Sequence, residues 1–171
     1  IAFHLSKEIM QELKELYLEN TQFEVRFEKE KQLQAQGIDQ VEFYLTTNPG
    51  EPLKPLVKVA SGGELSRILL ALKSIFSRSQ QMTSIIFDEV DTGVSGRVAQ
   101  AIAEKILNIA RSSQVLCITH LPQVAAAADN QYLIQKQVQD GRTSTMVLPL
   151  DEDQRVEEVA RMLAGAEITD L

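Results

Sequence analysis

Three groups of residues have the types and spacing that chemistry on a phosphate compound requires. The first is Ser61-Gly62-Gly63-Glu64, which opens onto Leu65-Ser66-Arg67 and the apolar run Ile68 to Leu72. Ser61 suits a helix N-cap and Glu64 stands three residues on, the reciprocal arrangement of a capping box. Two glycines then fall in the first helical turn, where each costs about 1 kcal/mol relative to alanine. Capping alone does not account for them. A helix N-terminus carries partial positive charge and free N–H donors, and glycine lets an anion, above all a phosphate, come close to them. The second group is Asp88-Glu89, at the exit of the apolar segment Ser84 to Phe87. Asp88 can hold Mg²⁺ through water, because that ion gives up its shell reluctantly. Glu89 points the other way along extended backbone, where it can polarise an attacking water as general base. The third is His120, just past the apolar segment Val115 to Ile118, placed to sense a terminal phosphate or orient water. Each group has an ordinary alternative when taken alone: a plain capping box, two solvated acids, a satisfied loop histidine. Asp91 to Gly96 reads equally as a flexible link that touches a second subunit or as a strand-to-helix loop. His4 has no such setting and reads as a surface or packing residue.

The elements that must position these groups follow from hydrophobic periodicity. Residues 2 to 19 place Leu5, Ile9, Leu13 and Leu16 on one face, as an amphipathic helix does. Phe23, Val25 and Phe27 alternate with charged residues, predicting a half-buried strand; Glu28 to Gln36 predicts a loop or solvated hairpin end. A second strand runs from Val41 to Thr47 and stops at the turn Asn48-Pro49-Gly50. The chain then approaches a helix over about Gly62 to Ser77. Ser84 to Phe87 and Val115 to Ile118 are continuous apolar runs, the pattern of strands buried on both faces. Between them Val98 to Ile109 is helical by spacing, and a short helix starts at Pro122. Tyr132 to Val138 and Thr143 to Leu148 flank Asp140-Gly141, the residues of a tight hairpin turn, and Arg155 to Leu163 closes the chain as a helix. Strands alternating with helices, with chemistry at strand ends, predict an α/β fold with a mainly parallel sheet core flanked by helices and a small antiparallel β layer.

Composition bounds the reading further. The 171 residues, 44% hydrophobic with no Trp, suit one compact domain with an aliphatic core. A net charge of −7 argues against a nucleic-acid surface spread over the whole domain. The single cysteine, Cys117, can form neither an internal disulfide nor a metal cluster, which predicts a reducing cytoplasm. No apolar run approaches the roughly 18 residues of a membrane helix, so no membrane partner is expected. The chain opens on Ile1 in what reads as mid-helix, which predicts a longer protein.

The order of glycine turn, acidic strand end, link and strand-terminal histidine resembles the head domains of ABC-type ATPases. Ser61 to Glu64 is similar to their signature motif, Ile85 to Glu89 to their Walker B strand, and Thr119-His120 to their switch histidine. Longer strings narrow the resemblance, over about Val41 to Thr169, to a bacterial DNA-repair family related to the SMC proteins. They are Thr47 to Pro52, Ala60 to Arg67, Ile86 to Gly96 and Ile118 to Ala125. The resemblance implies that residues 1–20 are the end of a coiled coil and 21–171 the C-terminal lobe of an ATPase head. It implies ATP and Mg²⁺ as ligands, with Ser61, Gly62, Gly63 and Glu64 on the nucleotide, Asp88 on the metal, and Glu89 and His120 catalytic. It also implies three partners: an N-terminal lobe of the same head carrying the phosphate loop, a second head in an ATP-dependent dimer, and DNA through the full-length protein. The setting would be double-strand break repair and recombination in the bacterial cytoplasm, at the nucleoid.

Two departures shape that expectation. None of the eight glycines is followed by Lys, so the chain contains no G-x-x-x-x-G-K-[ST] phosphate loop. The isolated chain is therefore expected to be inactive. Ser95 stands where SMC heads usually place an Asp, so the resemblance does not extend to a cross-head role at that position. Two other classes compete: the ATPase domain of a membrane transporter, which would carry its own phosphate loop, and a non-enzymatic interaction module.

Overall fold

A computed structural model of the chain describes residues 1–35, 37–58, 62–88, 90–139 and 142–164. Helix α1 (Ala2–Glu15) turns Ile9, Leu13 and the capping residue Leu16 into the core, all fully buried. It stops four residues before the apolar spacing predicted. Tyr17 adopts φ 60°, and the N–H of Leu18 reaches back to the carbonyl of Leu13 at 2.9 Å. That is a Schellman ending, and without a glycine at the left-handed position the sequence does not announce it. Helix α2 (Gly62–Gln80) also precedes a left-handed non-glycine residue, Gln81 at φ 49°.

Strands β1 (Gln22–Gln34) and β2 (Gly37–Thr46) form a long antiparallel hairpin, and β3 (Lys54–Pro55) adds to the β2 edge. The base of the hairpin, at Phe23 and Leu45, is buried; the arm beyond Phe27 and Val41 is exposed, as the charged sequence requires. The Asn48 turn closes with the N–H of Glu51 donating to the carbonyl of Asn48, and Gly50 takes φ 83°.

The centre of the molecule is β4 (Ser84–Asp88) paired in parallel with β5 (Gln114–Ile118), with α2 before β4 and α3 (Gly96–Ala110) crossing between the strands. One side of the pair meets the core: Ile85 and Phe87 pack with Ile68, Leu72, Ile102 and Ile106. The expectation of strands buried on both faces fails here. On the other side Ile86 is 61% exposed, Leu116 50% and Ile118 48%. Both faces carry apolar side chains, but the described residues supply a covering layer for only one. Among the described residues the parallel core is this pair of strands, beside five antiparallel ones.

Helix α4 (Pro122–Ala126) begins on its proline. Strands β6 (Tyr132–Gln139) and β7 (Arg142–Pro149) pair antiparallel from Tyr132–Pro149 to Gln139–Arg142; the predicted turn Asp140-Gly141 lies outside the described residues. Helix α5 (Glu152–Ala164) starts earlier than its apolar spacing suggests, because Asp151 and Gln154 form a reciprocal capping box with bonds of 2.9 and 3.0 Å. Among the described residues, no helix is long and apolar enough to cross a membrane.

Candidate active site

The parallel register sets the geometry. Asp88 lies opposite Ile118, so both strands end at one edge, and Thr119-His120 emerge beside Asp88. Parallel strands deliver their C-terminal ends together, the usual place for chemistry in an α/β sheet. Asp88 is exposed there, and the His120 side chain is 61% exposed. The two remaining residues of the expected machinery, Ser61 and Glu89, lie outside the described residues.

The first turn of α2 comes to the same edge. Its two glycines have different reasons. A Cβ built on Gly63 would stand 3.1 Å from the carbonyl oxygen of Thr92, so the link after β4 packs directly on bare helix backbone. Gly62 meets nothing within 4 Å and stays open to an approaching ligand. Gly62 thus has open space beside it, and Gly63 has a packing reason to be glycine. Glu64 is half-buried in the same turn. Arg67 holds the turn from behind: its Nε donates to the carbonyl of Gly63 and its Nη1 to the carbonyl of Leu16, both at 3.1 Å. One guanidinium therefore joins the end of α1 to the glycine turn, using the fork that lysine lacks.

The link at residues 91–96 is braced at its start rather than free. Asp91 is fully buried, accepts a hydrogen bond from the Thr119 hydroxyl on Oδ2, and has Oδ1 3.6 Å from His120 Nδ1. The Thr119 oxygen in turn accepts the N–H of Leu121 at 3.0 Å, which fixes the turn leaving β5. The sequence marks Asp91 as the start of the link and Thr119 as the neighbour of His120 but gives neither a role of its own; the available signal is an acid between Val90 and the Thr92-Gly93 turn. Gly93 at φ 72° and Gly96 at φ 56° bend the link into α3. Ser95 caps α3 in position but makes no side-chain capping bond.

Among the described residues, no group of three His, Cys, Asp or Glu side chains gathers to hold a metal ion. Cys117 stays a thiol: burial, then the charges of Asp91 and Asp88, push it up to about 12. Among the described residues Asp88 is the exposed carboxylate at this strand end, and a lone carboxylate suits a Mg²⁺ that keeps most of its waters. His4 lies on the surface, edge-on to Phe3 at 6.0 Å.

No family model matches the chain. Among solved structures, the Smc head domain with a coiled coil and joint derived from Pyrococcus yayanosii matches with TM-score 0.68 and 20% identity, covering 92% of this chain and 28% of that one. A second, from work on ATP-driven dimerization and DNA-stimulated activation of SMC ATPases, matches with TM-score 0.61 and 18% identity, covering 93% of this chain and 91% of that one. The fold is that of an SMC-type head.

Sequence relatives make the assignment narrower. The DNA repair protein RecN of Halalkalibacterium halodurans is 61% identical over 100% of this chain, and that of Bacillus subtilis 58% over 99%. RecN of Vibrio cholerae is 44% identical over 99%. The chain belongs to the RecN family. It spans about a third of the length of these relatives, 31%, 32% and 31% in turn.

Proposed function

We propose that this chain is the C-terminal half of a RecN ATPase head, acting in DNA double-strand break repair and recombination in the bacterial cytoplasm, at the nucleoid. The observation that carries the reading is the edge where Asp88, His120 and the glycine turn of α2 converge, in a chain with no phosphate loop of its own. A site with one metal-binding carboxylate and an open helix tip, but no cradle for the phosphates, is half of a site. The uncovered apolar side of β4 and β5 supports the same view, because it offers a seat for the N-terminal lobe that carries the loop.

In the assembled head the roles divide as follows. Asp88 would hold Mg²⁺, which would supply positive charge against the nucleotide phosphates. Glu89 takes the proton of the attacking water, and His120 contacts the terminal phosphate or that water. The turn Ser61 to Glu64 offers its amides to ATP held by a second head. ATP then closes two heads on each other and hydrolysis releases them, coupling turnover to DNA handled by the full-length protein. Residues 1–20 form the return of the coiled coil, and Phe3 at 78% exposure, on the first turn of α1, is where a partner helix would lie.

The test is reconstitution. This chain alone should hydrolyse no ATP. Mixed with the lobe bearing the phosphate loop, it should form a complex that dimerises on gel filtration with ATP and Mg²⁺. Glu89→Gln should keep the dimer and stop turnover, whereas Ser61→Arg should prevent the dimer. Turnover by this chain alone that Glu89→Gln removes would overturn the split-head reading. Dimers that survive Ser61→Arg would overturn the contact between heads.

A further inference from the structure

We infer that Asp91 is the positioning residue of the edge: it fixes the ring of His120 and selects the tautomer with the proton on Nδ1. The inference rests on the reading above only in giving His120 a nucleotide to face; the Asp91–His120 link itself stands on geometry.

Asp91 is 0% exposed, a costly place for a carboxylate unless its oxygens are satisfied. Oδ2 is satisfied by the Thr119 hydroxyl. Oδ1 is buried and accepts no hydrogen bond among the described residues, yet it lies 3.6 Å from His120 Nδ1. That separation is too long for a hydrogen bond, and a few tenths of an ångström of ring movement closes it. Contacts of this kind are often loose in the unliganded state and tighten when the substrate is bound.

The surroundings favour the carboxylate staying put while the ring adjusts. Asp91 is held by Thr119, whose own oxygen is held by the N–H of Leu121, and the Asp91 carbonyl accepts the N–H of Val94 at 3.4 Å. The His120 side chain, 61% exposed, has room to turn. Turned toward Asp91, the ring gives its Nδ1 proton to Oδ1 and leaves Nε2 as the outward nitrogen. A neutral ring then presents a lone pair that can orient water; a protonated ring presents an N–H that can bind a phosphate oxygen, with its charge balanced by Asp91. This is the division of labour in a carboxylate–histidine pair, where the buried acid sets which nitrogen works.

The experiment reads the tautomer directly. The chain contains two histidines, so ¹⁵N-imidazole labelling gives two ring systems, assigned with His120→Gln. At a pH where both rings are neutral, His120 is expected with the proton on Nδ1, and solvent-exposed His4 mainly on Nε2. Asp91→Ala should move His120 to the pattern of His4. A wild-type His120 protonated on Nε2 overturns the inference without recourse to any variant, and so does an Asp91→Ala spectrum unchanged at His120. In the reconstituted head, Asp91→Asn should lower kcat by about 10- to 100-fold with little change in KM. It should add nothing in a His120→Ala background. Full activity in Asp91→Asn would overturn the catalytic consequence. A His120→Ala head that turns over normally would instead sink the role of His120, leaving the tautomer result to stand separately.

Discussion

The base of the molecule and its working edge hold charge in opposite ways, and α2 runs between them. At the base, α1, α2 and α3 meet around Glu12: its Oε1 is 2.8 Å from Arg78 and its Oε2 2.8 Å from Lys105, which also donates to Glu15. The Glu12 and Lys105 side chains are each 9% exposed. At the edge, Asp88 and His120 are open and Gly62 faces empty space. Ions that satisfy one another inside make a rigid joint. Groups left open at a rim are satisfied by water and stay free to be approached. The same helix therefore carries an ion-paired end at Arg78 and an open end at Gly62, with Arg67 tying the second to the end of α1.

The largest effect should come from breaking the base. Lys105→Met leaves Glu12 buried beside a partly exposed Arg78, and such a broken pair costs about 3 kcal/mol, readable from urea unfolding. A neutral result would mean that the base is no more fixed than the edge. The pH dependence sharpens this. Burial by itself would raise the Glu12 carboxyl, but the hydrogen bonds from Lys105 and Arg78 outweigh it and hold the group below its ordinary 4.5. Its contribution is thus complete above 4.5 and lost as pH falls through the lowered folded value. Burial would likewise lower Lys105, yet Glu12 and Glu15 hold it above its ordinary 10.5. That contribution is complete below 10.5 and lost as pH rises through the raised folded value. Lys105→Met should therefore lose less stability on acidification than the parent chain does.

A smaller, sharper contrast lies within the glycine turn. Gly63→Ala pushes a methyl to 3.1 Å from the Thr92 carbonyl oxygen, backbone against backbone, and should cost about 1 kcal/mol of stability. Gly62→Ala meets open space and should stabilise the helix by a fraction of the roughly 1 kcal/mol propensity difference. In the reconstituted head Gly62→Ala should nevertheless weaken the ATP-dependent dimer. Thermal unfolding and gel filtration together check the pair: stability and assembly move the same way at Gly63 and opposite ways at Gly62.

Much of this was legible in the sequence wherever a local pattern maps onto a local structure. The apolar spacing of α3, the alternation in β1 and the Asn48 turn each depend on neighbours along the chain. Asp88 and His120 each follow an apolar run, and the parallel register brings those two strand ends to one edge. What escaped depends on residues far apart or on backbone choices that side chains do not advertise. The stop of α1 at a left-handed Tyr17 carries no glycine. The role of Asp91 appears only when β5 brings Thr119 and His120 against it. The packing of Thr92 against Gly63 likewise appears only in the fold.

The exposed side of β4 and β5 was misread for an instructive reason, and it supplies the smallest effect. An apolar run reports that both faces suit burial, not that the described residues cover both. In β4 the inward Ile85 and Phe87 are satisfied by α2 and α3, while the outward Ile86, with Leu116 of β5 beside it, is not. The double substitution Ile86→Thr with Leu116→Thr should therefore change the stability of this chain alone by no more than about 0.5 kcal/mol per site, as surface changes do. Threonine keeps the β-branching that a strand prefers at Ile86, so the local strand is not penalised there. Association with the lobe that bears the phosphate loop should weaken at least tenfold, equivalent to about 1.4 kcal/mol. Titration calorimetry against that lobe, beside urea unfolding of the chain, separates the two costs. Equal losses in both measurements would show that this face is already part of the chain's own core. Loss of association alone would show that the working edge is completed from the uncovered side of the sheet.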